Sequence, residues 1–158
     1  MTQSSMPQSP GVVVIRHARE RISKCSLRHL HDRPGFTFHK AIKGFEFDAT
    51  GYLELAVDAE PLSIGDQNHP LLLLDSTWRL LGELKGCVTG TTIRRSIPGA
   101  VKTAYPRTSR YYEDPDGGLA SIEALYVALQ VLGYDDPSLL DGYHWKDEFL
   151  QIVADARL

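Results

Sequence analysis

Apolar and polar positions follow one another along the chain in a pattern that predicts strands first and helices later. Residues 12–15 and 71–74 are short, wholly apolar runs, typical of buried strands, and we expect the second to lie at the centre of a sheet. Residues 52–57 alternate between apolar and polar side chains, as a half-buried strand does, and residues 92–98 are a further candidate strand.

Helical spacing is strongest in the C-terminal half. From Ile122 to Leu132 apolar residues recur at intervals of three and four on nearly all sides, and Gly133 ends the pattern, which predicts a buried helix. The other predicted elements are helices at residues 26–31, 75–85 and 145–156 and a long loop at residues 105–118. The pattern indicates an α/β fold with an N-terminal α/β part and a mainly helical C-terminal half.

Length and composition fit one globular unit. The chain has 158 residues, of which 42% are hydrophobic and 23% charged. We expect residues 1–10 to form a flexible tail, residues 11–91 an N-terminal part, and residues 92–158 a C-terminal part of the same compact unit. No apolar run approaches the roughly 20 residues that cross a bilayer, and two cysteines make no disulfide framework. We therefore expect a soluble cytoplasmic protein.

Basic residues are segregated along the chain, although the formal net charge is −3. Residues 11–45 carry 8 Lys/Arg against 2 acids, and residues 92–112 carry 5 Lys/Arg and no acid. Two such segments fit a polyanion such as RNA on one face of the protein. Charges spread over an ordinary solvated surface are the alternative, and the count alone does not decide between them.

Asp75 is the strongest candidate for a chemical role, because it follows the apolar run 71–74 directly. Open α/β sheets bind ligands in the crevice at the carboxyl ends of their strands. The alternative is that Asp75 or Ser76 caps the next helix while Trp78 packs in the core. The sequence has no nucleophile elbow, Walker loop or dinucleotide fingerprint, and its single His-x-His pair is too small to predict a metal site.

The segment Asp75-Ser76-Thr77-Trp78 belongs to a series of short motifs spread along the chain. The others are Lys24-Cys25-Ser26, residues 55–63, Arg95-Ser96-Ile97-Pro98 and residues 118–124. In their order along the chain they resemble the motifs of the small-subunit rRNA aminocarboxypropyltransferases. The segment Asp75-Ser76-Thr77-Trp78 also resembles the signature of the related DTW-domain tRNA-uridine aminocarboxypropyltransferases. Each resemblance is weak alone, but together they span nearly the whole chain.

The chain also departs from both patterns. Leu27 stands where the rRNA group has Gly, residues 102–106 replace its Ala-Ala-Asn-Pro segment, and the metal-binding cysteines of the DTW group are absent. The N-terminal motif favours an rRNA substrate, whereas the Asp-x-Thr-Trp form and residues 105–110 lean towards tRNA. A third alternative is a non-catalytic RNA-binding module for ribosome assembly that keeps the fold.

The resemblance implies a SPOUT-like knotted domain that binds S-adenosyl-L-methionine (SAM) and transfers its 3-amino-3-carboxypropyl group to N3 of a uridine or pseudouridine. It implies that Asp75 takes the N3 proton or orients the base, and that Trp78 shields the methyl group of the sulfonium. The implied cofactor-binding residues are Ser26, Leu55, Val57, Leu74, Trp78, Ile97, Ala100, Gly117, Leu119 and Ser121.

Structured RNA is the implied partner, in small-subunit rRNA or a pre-ribosomal particle, with tRNA as the alternative. We expect a monomer that takes part in ribosome biogenesis and binds neither a membrane nor a metal. The candidate RNA contacts are Arg16, Arg19, Arg28, Arg94, Arg95, Lys102, Arg107 and Arg110. Each of these side chains has simple solvation as its alternative.

Overall fold

The structure, a computed structural model, describes residues 11–19, 27–56, 58–75, 78–97 and 121–156, with the backbone alone at residues 78 and 79. Its strands are β1 (Val12–His17), β2 (Phe36–Ala41), β3 (Phe47–Asp48), β4 (Leu53–Leu55), β5 (Leu71–Asp75), β6 (Val88–Thr89) and β7 (Ile93–Arg95). Its helices are α1 (Trp78–Lys85), α2 (Ser121–Val131) and α3 (Lys146–Ala156). Single 3₁₀ turns lie at Arg28–Leu30, Ile64–Asp66 and Pro137–Leu140.

Five of the strands form a parallel sheet in the order β2-β1-β5-β4-β7. The four-leucine run therefore lies in the middle strand, as its wholly apolar sequence predicts. β3 and β6 form a separate parallel pair. Because the five strands all run the same way, their carboxyl ends meet at one edge of the sheet, which we call the carboxyl edge.

Alternate residues of the central strands point to opposite faces, and each face carries its own core. On one face, residues such as Val14 and Leu73 pack with α2 and with Phe149 of α3. On the other face, Ile15 and Leu72 pack with Leu84 of α1. Burial on both faces explains why β1 and β5 are almost continuously apolar.

The helix predicted between Ile122 and Leu132 is confirmed as α2, and its buried residues lie on more than one side of the helix. Glu123 of this helix is fully buried, which apolar spacing alone does not predict. The last helix, α3, buries Phe149 and Val153 along one side, as an amphipathic helix does. Within the described residues, no helix is both long and apolar enough to cross a bilayer.

The mixed α/β architecture with a parallel sheet is confirmed, but details differ from the sequence-based expectation. The predicted helix at residues 26–31 appears in the described residues as one 3₁₀ turn, Arg28–Leu30. The sequence pattern does not predict strand β2. The loop predicted at residues 105–118 lies outside the described residues. The knot, the helical character of the whole C-terminal half and the boundaries of the parts remain predictions.

Candidate functional site

Asp75 is the last residue of the central strand β5 and lies at the carboxyl edge. Arg16 of β1 is its partner in the register of the two strands. The Nε atom of Arg16 donates a hydrogen bond to Oδ2 of Asp75 over 3.2 Å. Arg16 is 7% exposed and Asp75 9%. The neighbouring central strands therefore hold a buried pair of opposite charges at the position where α/β sheets bind ligands.

The Arg16 side chain is held from two directions. Its guanidinium carbon lies 5.5 Å from the ring centroid of Phe38 on β2, a cation–π contact, while its Nε atom binds Asp75. The guanidinium is thus turned to the carboxylate and an aromatic ring, and it presents little surface to solvent. The structure places this candidate RNA contact inside the site, where it orients Asp75.

A second polar cluster joins β1 to α1 beside this pair. His17 Nε2 lies 2.7 Å from Oε2 of Glu83, and NH2 of Arg19 lies 2.9 Å from both carboxylate oxygens. The backbone N–H of Arg19 donates to His17 Nδ1, so the ring proton lies on Nε2 and is donated to Glu83. The hydrogen bond from His17, helped by Arg19, holds the pKa of Glu83 below its usual value.

Glu83 was not singled out from the sequence, because it is one of several polar residues on a short amphipathic helix. Only its position two residues before the end of α1 brings it to the carboxyl end of β1. The cluster fixes α1 to the sheet at the same end as the Arg16–Asp75 pair but on the opposite face.

The second basic segment is also paired with carboxylates where the structure describes it. Arg94 NH2 lies 3.0 Å from Asp58 Oδ1, and both side chains are largely exposed. Arg95 Nε lies 3.2 Å from Oδ2 of the buried Asp66. The same oxygen accepts a hydrogen bond from the backbone N–H of Ser63 and so caps the start of the 3₁₀ turn. An exposed pair such as Arg94–Asp58 contributes only about 0–1 kcal/mol and can exchange for a phosphate. The pair of Arg95 with Asp66 is less exposed than that of Arg94 with Asp58, so an external anion displaces it less easily.

Two of the predicted cofactor-binding residues pack on the α2 face of the sheet, and a third begins α2. Leu55 ends β4 and Ile97 follows β7, and both half-buried side chains pack against the core on that face. The register puts Asp75 on the same face, and Ser121 is the first residue of α2. The side chain of Leu74 points to the opposite face and packs there with the α1 core.

Several sequence-based candidates are outside the part of the chain that the structure describes. They are Ser26, Val57, the side chain of Trp78, Ala100, Lys102, Arg107, Arg110, Gly117 and Leu119. Their roles stay predictions. Arg19 and Arg28, which the structure does describe, are both exposed.

A pocket in the described region lies away from these residues. It is beside the first residue of β2, and therefore at the end of the sheet opposite Asp75. Arg33 pairs with Asp136 in its wall, and Ser138 donates to the same carboxylate over 2.5 Å. Its position separates it from the carboxyl edge, where the fold favours ligand binding.

Comparison with known proteins gives a similarity of structure without a match of sequence. No known protein family and no curated protein matches the chain. Its structure is similar to that of the SAM-dependent rRNA:acp-transferase Tsr3 from Vulcanisaeta distributa, with a TM-score of 0.69 and 24% identity. The match covers 92% of this chain and 79% of that one. The chain therefore shares the fold of a protein of the type that its motifs resemble.

Proposed function

We propose that this chain transfers the 3-amino-3-carboxypropyl group of SAM to N3 of a uridine or pseudouridine in small-subunit rRNA. The observation that carries the proposal is the position of Asp75, a buried carboxylate at the carboxyl edge of a sheet shared with an rRNA:acp-transferase. The ordered motifs around Asp75 and Trp78 support the same reaction. The proposal includes the knotted SPOUT-like form of the fold and a role in ribosome biogenesis in the cytoplasm.

The described residues fit a ligand that is apolar on one side and cationic at its reacting centre. Leu55 and Ile97 supply half-buried apolar surface on the face that also carries Asp75. The carboxylate of Asp75 attracts a sulfonium cation through a simple Coulomb interaction. Ser121 adds a hydroxyl at the start of α2, next to residues of the predicted cofactor loop. Trp78 begins α1, three residues beyond Asp75.

When bound, SAM supplies the transferred group: its S–Cγ bond breaks as the new N3–Cγ bond forms, 5′-methylthioadenosine leaves with the bonding pair, and the N3 proton is released. Asp75 accepts that proton or holds the base by a hydrogen bond to N3–H. Arg16 donates to Oδ2 of Asp75 and thereby fixes the orientation of the carboxylate towards the base. In this assignment Arg16 is a positioning residue, and the RNA contacts are left to exposed cations.

The test is to incubate the protein with purified rRNA and SAM labelled in the carbon chain of its methionine. Label should enter small-subunit rRNA, and 5′-methylthioadenosine should accumulate in equal amount. Asp75→Asn keeps the shape of the side chain but removes its basicity, so transfer should fall at least a hundredfold, the range typical of a lost general base. SAM binding by calorimetry should persist in this variant.

Other outcomes would redirect or refute the proposal. Label in tRNA alone would make the chain a tRNA-uridine enzyme, as the form of the Asp75–Trp78 motif allows. Transfer of a labelled methyl group with formation of S-adenosylhomocysteine would exclude the proposed chemistry. RNA binding without SAM binding would identify a non-catalytic assembly module. Full activity of Asp75→Asn would remove this residue from the mechanism.

A further inference from the structure

Lys40 continues the row of charged residues that contains the proposed catalytic pair. In the strand register, Arg16 of β1 is paired with Asp75 of β5 on one side and with Lys40 of β2 on the other. Paired residues of a parallel sheet point to the same face, and neighbouring strands lie about 4.8 Å apart. The Cα atoms of Lys40 and Asp75 are therefore roughly 10 Å apart across two strand spacings.

The chain beyond Lys40 makes a defined turn at the same edge. Ile42 N–H donates to Lys40 O, and Phe45 N–H donates to Ile42 O, both over 2.9 Å. Gly44 has φ of +85°, which a type II turn needs at its third residue. Lys43 is the second residue of this turn, so its backbone is fixed while its side chain is exposed. Ile42, between the two lysines, is 59% exposed and offers apolar surface beside their charges.

These lysines differ from the arginines that charge counting selects. Of the candidate arginines, Arg16, Arg19, Arg94 and Arg95 pair with carboxylates. Neither Lys40 nor Lys43 forms an ion pair with any residue that the structure describes, and residues 36–45 contain no acid. Within the described residues, their charges are therefore available to an external anion without breaking an ion pair.

We propose that Lys40, Ile42 and Lys43, which we call the β2 exit surface, dock the substrate RNA. The two ammonium groups contact phosphates that flank the target nucleotide, and Ile42 contacts an adjacent sugar or base. This assignment rests on the proposed function, because RNA is the polyanion that the reaction requires. It gives the phosphate contacts to residues at the same edge of the sheet, on and after the strand β2 that lies two strand spacings from Asp75, whereas Arg16 stays with the carboxylate.

The test measures RNA affinity by filter binding to purified small-subunit rRNA at several salt concentrations. Each lost phosphate contact lowers the slope of log K against log[salt] by about 0.7–0.9. Lys40→Gln/Lys43→Gln should therefore lower that slope by about 1.4–1.8 and weaken binding at least roughly tenfold at 0.1 M salt. SAM binding by calorimetry should stay at its wild-type value, which separates docking from damage to the cofactor site.

Arg33→Gln is the control, because it removes one positive charge at the other end of the sheet. Arg33 lies in the wall of the pocket beside the first residue of β2, opposite the carboxyl edge. Its loss should therefore leave the salt slope unchanged. A similar fall in slope for Arg33→Gln and for the double variant would show unspecific charge attraction and would overturn the proposal.

The failure of this proposal can be told apart from failure of the proposed function. Wild-type protein that transfers the group, together with a Lys40→Gln/Lys43→Gln variant that keeps the wild-type slope, would overturn the β2 exit surface alone. Wild-type protein that shows a slope lost in the double variant but transfers nothing would refute the reaction and leave the surface standing. Wild-type protein with no RNA affinity would overturn both. Binding to phosphatidylserine vesicles that the double variant loses, with RNA affinity unchanged, would assign the surface to a membrane and overturn RNA docking.

Discussion

At the scale of single residues, Arg16 is a candidate RNA contact in the sequence but a partner of Asp75 in the structure. Both residues could be selected from the sequence, Asp75 as a group at the end of a strand and Arg16 as a cation for RNA. Their contact spans 59 positions of the chain and depends on the register of β1 against β5. Register is set by long-range packing, so no local pattern reveals that these two charges meet.

Loss of Arg16 should destabilise the protein, because it leaves a buried carboxylate without one of its charged donors. Arg16→Met removes the charge but keeps much of the side-chain volume, and it should lower the free energy of unfolding by about 3 kcal/mol. Arg16→Met/Asp75→Leu should recover most of that loss, since neither charge then stays buried and uncompensated. Urea unfolding of both variants measures the difference.

Arg94→Met serves as the comparison for this prediction, because its ion pair with Asp58 is exposed on both sides. Exposed pairs contribute little, so its unfolding midpoint should stay close to that of the wild type. If the free energy of unfolding of Arg16→Met equals that of the wild type, other donors keep the Asp75 carboxylate in place. The positioning role of Arg16 would then be wrong.

At the scale of elements, long regular patterns are predicted well and short or half-polar ones poorly. The continuous spacing of α2 and the four leucines of β5 identify both elements. The sequence pattern does not indicate strand β2, because the polar residues His39 and Lys40 interrupt its apolar positions. β3 and β6 have two residues each, too few for any period to show.

Helix α2 also carries an ionisable group that should make stability sensitive to alkaline pH. Burial of Tyr126, with a hydrogen bond from its hydroxyl to Asp135 over 3.0 Å, raises its pKa to about 12. In the unfolded chain the phenol ionises near pH 10. Its stabilising contribution is therefore complete below about pH 10 and is lost as the pH rises through about 12, because the unfolded state releases its proton first.

Tyr126→Phe should show a smaller fall in the free energy of unfolding between pH 9 and pH 11 than the wild type. Asp135→Asn keeps an acceptor for the hydroxyl but removes the negative charge, so its pH dependence should be intermediate. Urea unfolding at both pH values gives the comparison. Equal slopes for wild type and Tyr126→Phe would show that Tyr126 ionises in the folded protein as it does in the unfolded chain.

At the scale of the whole molecule, charge and fold contribute different parts of the functional assignment. The net charge of −3 conceals two basic segments, yet four of their arginines are neutralised within the fold. A polyanion is therefore attracted less by overall charge than by the few cations left at the carboxyl edge. The sequence could predict that edge from β5 and Asp75, but not which cations remain there, because pairing depends on the folded arrangement.

Binding of SAM should stabilise the whole chain, because a ligand that binds only the folded state shifts the unfolding equilibrium. At a SAM concentration of 100 times Kd the gain is about 2.7 kcal/mol. For a domain of this size, that raises the unfolding midpoint by roughly 5–10 °C. Asp75→Asn should still show a shift, but a smaller one, because the Coulomb attraction between the carboxylate and the sulfonium is lost.

ATP at equal concentration is the control for this shift, since it shares the adenosine but lacks the methionine chain and the sulfonium. Differential scanning calorimetry should show a clear rise of the midpoint with SAM and little with ATP. Equal midpoint shifts with SAM and with ATP would indicate a general adenosine site. The attraction between Asp75 and the sulfonium would then make no contribution to binding. No shift with SAM at millimolar concentration would favour the non-catalytic module, because an enzyme of the proposed kind must bind its group donor.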